Sequence, residues 1–121
     1  MKKHPKKFKV GLIQLSFSKN PDENLKKAIL WIEKAAKKGA RVICLPELFR
    51  SQYFCQSESI DYYDLAETIP GPSTDEVSKI ATKLKVVVVV PLFEKRATGL
   101  YHNSLAIVNT KGEIAGVYRK M

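Results

Sequence analysis

Two charged residues stand where strands of a predicted sheet end, and their types suit acid–base chemistry. Glu47 lies in the run RVICLPELF, directly after Pro46, which ends the predicted strand because proline has no N–H to donate. The apolar neighbours of Glu47 are expected to raise the pKa of its carboxyl group, which suits a general base. Lys120 ends the alternating run GVYRK, where a lysine can present a fixed positive charge to a developing oxyanion.

Both positions also have a simpler interpretation. A glutamate in a strand-to-loop turn is typical of a helix cap or a salt bridge, and a lone lysine near the end of a chain is typically a solvated charge. Arg119 is expected to point to the side opposite Lys120 if the strand stays extended. The local pattern therefore leaves catalytic and structural roles open for both residues.

A nucleophile for amide chemistry is harder to find in the sequence. Cys44 precedes Glu47 by three positions, so its side chain is expected on the opposite face of a regular strand. Cys55 lies in a predicted loop without an adjacent histidine or helix start to lower its thiol pKa. His4 in the tail and His102 in a strand argue against a Cys-His or Ser-His-Asp arrangement. No glycine-rich phosphate loop is present, so the residues alone supply half of a catalytic site.

Length and composition indicate one domain. The 121 residues, 45% of them apolar, suffice for one buried core, and no apolar run reaches the roughly 18 residues of a membrane span. We interpret residues 1–7 as a basic flexible tail and the protein as cytoplasmic, since the next apolar stretch is short and lacks a cleavage site. The net charge of +9 comes mostly from lysines on the tail and one helix without interleaved aromatics, so neither nucleic acid nor membrane is expected as a partner.

Hydrophobic periodicity predicts the first half of the fold. The run KVGLIQLSF is apolar enough for a central strand. The following helix is predicted to have Asn20 as N-cap, Pro21 in the first helical position and Glu23 completing a capping box, with Gly39 as its stop. The run containing Glu47 then forms a buried strand.

The second half is predicted to begin with a long loop containing a helical turn or two. Ser73 and Glu76 form a second capping box that opens the helix TDEVSKIATKLK. The buried strand VVVVVP follows, and then a hairpin with Gly112 in its turn. This order of elements predicts an α/β fold with a mixed sheet.

Several motifs together resemble the nitrilase superfamily of carbon-nitrogen hydrolases. They are KVGLIQL, RVICLPELF and the block from PLFEK through YHNS to YRKM, in this order and spacing. The run Tyr53 to Gln56 after PELF, together with YHNS and YRKM, makes the chain most similar to the N-carbamoylputrescine amidase branch. The resemblance covers nearly the whole chain from Phe8 onward and implies the N-terminal part of a four-layer αββα sandwich.

The resemblance also implies residue roles. The family works with a Glu-Lys-Cys triad, in which Glu47 would be the general base and Lys120 would stabilise the tetrahedral intermediate. The family's nucleophilic cysteine lies further along than residue 121, so residues 1–121 are expected to be a single truncated domain that is inactive alone. Tyr53 and Phe54 are candidate substrate-binding residues, with aromatic core packing as the alternative.

The implied reaction is hydrolysis of an amide or N-carbamoyl bond, with N-carbamoylputrescine giving putrescine, carbon dioxide and ammonia. No metal or organic cofactor is implied. The expected partners of the complete enzyme are a small-molecule substrate and further copies of the same chain. Two alternatives stay open, namely a hydrolase with Cys55 as a displaced nucleophile and a basic α/β binding module without catalytic activity.

Overall fold

The computed structural model of the chain describes residues 6–52, 54 and 60–121. Most of the predicted tail, Tyr53 and Cys55 lie outside the described residues. The elements occur in the predicted order, with a 3-10 helix (Ile60–Leu65) in the long loop. The strands are β1 (Lys9–Leu12), β2 (Ala40–Cys44), β3 (Val87–Ala97), β4 (Leu100–Val108) and β5 (Ile114–Arg119), and the helices are α1 (Pro21–Lys37) and α2 (Pro72–Leu84).

Helix α1 begins and ends where the sequence predicts. The Asn20 side-chain oxygen accepts hydrogen bonds from the N–H groups of Asp22 at 3.0 Å and Glu23 at 3.2 Å, which caps the first turn. The reciprocal half of the predicted capping box is wrong, because the Asn20 N–H donates to Ser18 Oγ at 3.1 Å. Gly39 ends the helix with φ at +96°, a conformation that glycine adopts without a clash from Cβ.

Helix α2 begins two residues earlier than predicted. Its N-cap is Gly71, whose N–H donates to the Thr74 hydroxyl at 2.9 Å. The predicted capping box of Ser73 and Glu76 is therefore wrong. Ser73 lies buried inside the first turn, where its hydroxyl donates to Glu67 Oε2 at 2.6 Å and is not available as a cap.

The five strands form one sheet in the order β1-β2-β3-β4-β5. The first three strands are parallel and the last two are antiparallel, which confirms the predicted mixed sheet. Strand β1 lies at the edge of the described sheet, with Leu12 80% exposed, and its expected central position stays a prediction for the complete sheet. Strand β3 continues through Pro91 to Ala97, and a tight turn with Gly99 at φ +74° joins it to β4 in a further hairpin.

Both α-helices pack against the same face of the sheet, α1 on β2 and α2 on β3 and β4. Alternate residues of β3 and β4 point to this face and are buried. These residues form the core with α1 and α2: Ile32, Ile43, Val77, Val88, Val90 and Val108. Neither α-helix contacts the opposite face of the sheet, where Tyr63 of the 3-10 helix packs against Phe93 and Tyr101. None of the described helices is both long enough and apolar enough to cross a membrane.

Candidate active site

Glu47 is held at the end of β2 by a turn whose next two residues enter the core. Leu48 and Phe49 are 2% and 0% exposed, whereas the Glu47 side chain is 46% exposed. Leu48 adopts φ +51°, which costs a non-glycine residue roughly 1 kcal/mol and is maintained here by the burial of its side chain. The turn therefore buries its apolar residues and leaves the carboxylate accessible.

Two polar side chains fix this turn against the helices. Asn24 in α1 is 2% exposed, and its Nδ2 donates to the carbonyl oxygens of Ser18 and Arg50, both at 2.8 Å. The Arg50 guanidinium donates to Glu67 at 3.2 Å and to Ser73 at 2.8 Å. The position of the turn is thus tied to α1, to α2 and to the loop before α2.

Lys120 and Asn103 converge on the Glu47 carboxylate. Lys120 directly follows β5, and its backbone N–H donates to the Asn103 carbonyl at 2.9 Å. The Asn103 side chain donates to Glu47 Oε1 at 2.7 Å, and Lys120 Nζ donates to the same oxygen at 3.2 Å. The structure therefore places the two predicted residues in direct contact and adds an asparagine that contacts both.

The pKa of Glu47 lies below its ordinary value of 4.5, first because of the Asn103 hydrogen bond and then because of the Lys120 hydrogen bond. Desolvation opposes this shift, and the Lys120 charge adds to it. The expected raised pKa is therefore wrong, because the apolar neighbours turn into the core and do not surround the carboxyl group. Glu47 is ionised at neutral pH, which is the state that a general base requires.

The three residues border a groove of about 450 Å³ on the face of the sheet opposite the α-helices. This volume is within the range of small-molecule sites. The lining residues come from the end of β2 and from β3, β4 and β5: Cys44, Leu45, Glu47, Pro91, Asn103, Ser104, Leu105, Tyr118 and Lys120. The site therefore combines a carboxylate, an amide and an ammonium group with a largely apolar wall.

Cys44 lines the same groove as Glu47, so the expectation that it lies on the opposite face is wrong. Strand β2 ends at Cys44, and the regular alternation of side chains does not continue to Glu47. Burial raises the pKa of the Cys44 thiol, whose sulfur lies 3.5 Å from the Leu45 carbonyl oxygen. The thiol is protonated at neutral pH and is a poor nucleophile there.

Arg119 points away from Lys120, as the alternation of an extended strand predicts. On the helix-covered face, its Nε and Nη2 donate to the two Glu94 carboxylate oxygens at 2.7 and 2.9 Å. Glu94 is 2% exposed, and the Ser104 hydroxyl donates to it at 2.9 Å. Arg119 at the end of β5 and Lys120 directly after it thus bind two glutamates on opposite faces of the sheet.

An aromatic cluster borders the site. Phe54 packs against Phe93 with ring centroids 5.0 Å apart, and Phe93 packs against Tyr101 at 5.6 Å. Phe93 pairs with Asn103 across β3 and β4, which places its side chain on the same face as the groove. Phe54 therefore makes the aromatic packing contacts that were the alternative to a substrate-binding role. Tyr53 lies outside the described residues.

Sequence reasoning did not single out Asn103 or Glu94. Asn103 lies between Tyr101 and Leu105 at alternate positions of β4, so a polar residue on an otherwise apolar face was the available signal. Glu94 follows Pro91, where the predicted strand ended, and its burial became visible only with the full length of β3. Within the described residues, no three His, Cys, Asp or Glu side chains come together as metal ligands.

Comparison with known proteins identifies the family. The carbon-nitrogen hydrolase family profile matches residues 9–121. This chain is a member of the carbon-nitrogen hydrolase family. Citrullinase of Francisella tularensis is 42% identical over 114 residues, which are 93% of this chain and 40% of that protein. N-carbamoylputrescine amidase of Oryza sativa is 36% identical over 115 residues, which are 94% of this chain and 38% of that protein.

A solved structure supports the fold. The crystal structure of a carbon-nitrogen hydrolase from Helicobacter pylori superposes with a TM-score of 0.86 at 38% identity. The match covers 93% of this chain and 39% of that chain. The resemblance inferred from PELF, YHNS and YRKM is confirmed, and the chain spans about 40% of the length of the relatives it matches.

Proposed function

We propose that this chain supplies the general base and the oxyanion-stabilising cation of a hydrolase that cleaves N-carbamoyl amines. The observation that carries the proposal is the shared hydrogen bonding of Asn103 and Lys120 to one Glu47 oxygen beside a groove of about 450 Å³. An ionised carboxylate can accept a proton, and the adjacent ammonium group can stabilise an oxyanion. Membership of the carbon-nitrogen hydrolase family supports both roles.

In the proposed mechanism, Glu47 takes the proton of a cysteine thiol, and the thiolate attacks the carbamoyl carbon. Lys120 stabilises the negative oxygen of the tetrahedral intermediate. The intermediate collapses, and the amine leaves with the proton that Glu47 held. Glu47 then deprotonates a water molecule that hydrolyses the S-carbamoyl thioester, and the resulting carbamic acid breaks down to carbon dioxide and ammonia.

We place the nucleophilic cysteine outside the 121 residues. The described cysteine, Cys44, has a raised thiol pKa, which does not suit a nucleophile. Residues 1–121 are accordingly proposed to be the N-terminal part of a single catalytic domain, with residues 1–7 as a basic tail, and to be inactive alone. The complete enzyme is proposed to be a homo-oligomer, as the resemblance implied, and to be cytoplasmic, as the short first apolar stretch without a cleavage site indicated.

N-carbamoylputrescine is the proposed substrate, with citrulline as the second candidate. The names of the two relatives denote substrates that share a terminal carbamoyl group on an aliphatic amine. They differ at the other end, where putrescine carries an ammonium group and citrulline an amino acid head. The higher identity to citrullinase favours retaining citrulline as a candidate. The run Tyr53 to Gln56 and the motif YHNS favour the putrescine derivative.

A chimera tests the proposal without assuming the rest of this protein. The 121-residue chain replaces the matching segment of the Francisella citrullinase, whose remaining sequence stays unchanged. Ammonia release is measured with N-carbamoylputrescine and with citrulline. In the chimera, Glu47→Gln and Lys120→Met are each expected to lower kcat by about 100-fold or more, as loss of a general base or an oxyanion donor does.

The ion pair between Lys79 and Glu76 on α2 provides a matched control, because its 2.9 Å contact is exposed and distant from the groove in sequence. Glu76→Gln and Lys79→Met are expected to leave kcat within a factor of two of the unsubstituted chimera. An active chimera whose kcat is insensitive to Glu47→Gln would refute the assigned roles. Activity of the 121-residue chain alone would refute the external nucleophile.

A further inference from the structure

The contact between the buried Glu94 and the partly exposed Arg119 lies directly behind the candidate site. Glu94 is anchored in β3, where the Glu67 backbone binds on both sides of it, to the Phe93 carbonyl at 2.9 Å and to the Lys95 N–H at 2.7 Å. The Ser104 hydroxyl orients the Glu94 carboxylate from β4. The Arg119 guanidinium then binds both carboxylate oxygens from β5. One carboxylate thus connects the last three strands.

We propose that Glu94 and Arg119 are positioning residues that hold the end of β5 so that Lys120 reaches Glu47. The inference rests on the proposed function only in treating Lys120 as the cation of that site. Neither Glu94 nor Arg119 reaches the groove, because alternation places them on the helix-covered face. Their effect on Lys120 is transmitted through the backbone of two consecutive residues.

The position of the Lys120 ammonium group depends on where its backbone is held. The Lys120 side chain is 61% exposed, so packing constrains it little. Strand β5 pairs with β4 alone among the described strands, and the register of that pairing shifts between Ile107 and Val108. Near its end, the backbone bond from Lys120 to Asn103 and the fork from Arg119 to Glu94 tie β5 to the sheet.

A bidentate contact is suited to this task. The planar guanidinium group of arginine matches a carboxylate in one orientation, so the contact fixes direction as well as distance. Arg119 therefore limits rotation of the strand end, and the next residue is directed to the opposite face. A lysine at position 119 would keep the charge but would offer a single rotatable contact.

Nuclear magnetic resonance of the 121-residue chain tests the proposal with two readouts, the pKa of the Glu47 carboxyl group and amide exchange at Lys120. In Glu94→Gln, the Glu47 pKa is expected to rise toward 4.5 as Lys120 moves away. Exchange of the Lys120 amide is expected to accelerate about tenfold or more relative to the Val90 amide in the core. Arg119→Lys is expected to shift both readouts in the same direction.

Val108→Ala is the control for a loss of stability alone. Val108 is fully buried on the same face of the sheet as Glu94, but it pairs with Ile114 at the start of β5, far from Lys120. It is expected to change neither the Glu47 pKa nor the exchange ratio. A folded Glu94→Gln chain with an unchanged Glu47 pKa would overturn the proposal. If neither substituted chain folds, amide exchange in the unsubstituted chain tests the proposal. A Lys120 amide that exchanges as fast as the Met121 amide would show that the end of β5 is not held and would overturn the proposal.

These readouts are independent of catalysis. Failure of the chimera to hydrolyse either substrate would bear on the proposed function and would leave the position of Lys120 unaffected. An unchanged Glu47 pKa in Glu94→Gln would remove the positioning role and would leave the roles of Glu47 and Lys120 open to the kinetic test.

Discussion

Replacing Asn24 with alanine is expected to destabilise the turn that carries Glu47. The Asn24 side chain makes three hydrogen bonds with backbone groups, accepting from the Ser18 N–H at 2.9 Å and donating to the carbonyls of Ser18 and Arg50 at 2.8 Å each. Each such bond contributes about 1 kcal/mol net, so Asn24→Ala should lower the free energy of unfolding by about 3 kcal/mol. The Asn24 side chain is 2% exposed, so water cannot reach the three backbone groups after the substitution. These groups would then stay without a hydrogen-bond partner, which adds to the cost.

Urea unfolding of the 121-residue chain, followed by circular dichroism, measures this change. Asn109→Ala is the matched control, because the Asn109 side chain is likewise bonded to backbone groups. It accepts from two backbone N–H groups, at 3.0 and 2.9 Å, in an exposed turn. Water can replace the lost acceptor there, so a cost of about 1 kcal/mol or less is expected. Equal costs for the two substitutions would refute the reasoning that burial makes Asn24 the stronger connection.

Three further predictions concern stability. Gly112→Ala should lower the free energy of unfolding in urea by about 2 kcal/mol, because φ is +77° and the added Cβ would lie 2.6 Å from the Thr82 hydroxyl of α2. Gly99→Ala has a similar φ of +74° but no neighbour near the added Cβ, so it should cost about 1 kcal/mol. Asn20→Ala should cost about 1 kcal/mol by the same assay, because α1 loses its cap. The Arg119 contact keeps the pKa of Glu94 below 4.5, so its stabilisation is full at neutral pH and is lost as the pH falls from 4.5 through the folded-state pKa. The difference between unfolding free energies at pH 7 and pH 3 should be smaller in Glu94→Gln.

Local signals in the sequence were sufficient for much of the fold. The cap at Asn20, the stop at Gly39 and the apolar face between them act within a few residues, so α1 could be predicted with its ends. The position of β1 could not be predicted in the same way. An apolar strand fits the centre or the edge of a sheet, and only the arrangement of the other strands decides between them.

For the candidate site, too, the sequence was sufficient for some features and not for others. The motifs PELF and YRK identified Glu47 and Lys120 through the family resemblance, whereas their types and local surroundings left structural roles open. The direction of the Glu47 pKa shift depends on Asn103, which lies 56 residues further along the chain, in β4, after α2 and β3. Alternation along β2 could not place Cys44 relative to Glu47, because the strand ends between them.

Titration of the Glu47 carboxyl group in the unsubstituted chain tests the central claim most directly, namely that Asn103 and Lys120 hold this carboxylate ionised beside the groove. The carboxyl carbon shift of Glu47 is followed by nuclear magnetic resonance as a function of pH. We predict that Glu47 titrates below 4.5 and that Lys120→Met raises its pKa. A Glu47 pKa at or above 4.5 that does not respond to Lys120→Met would contradict the account.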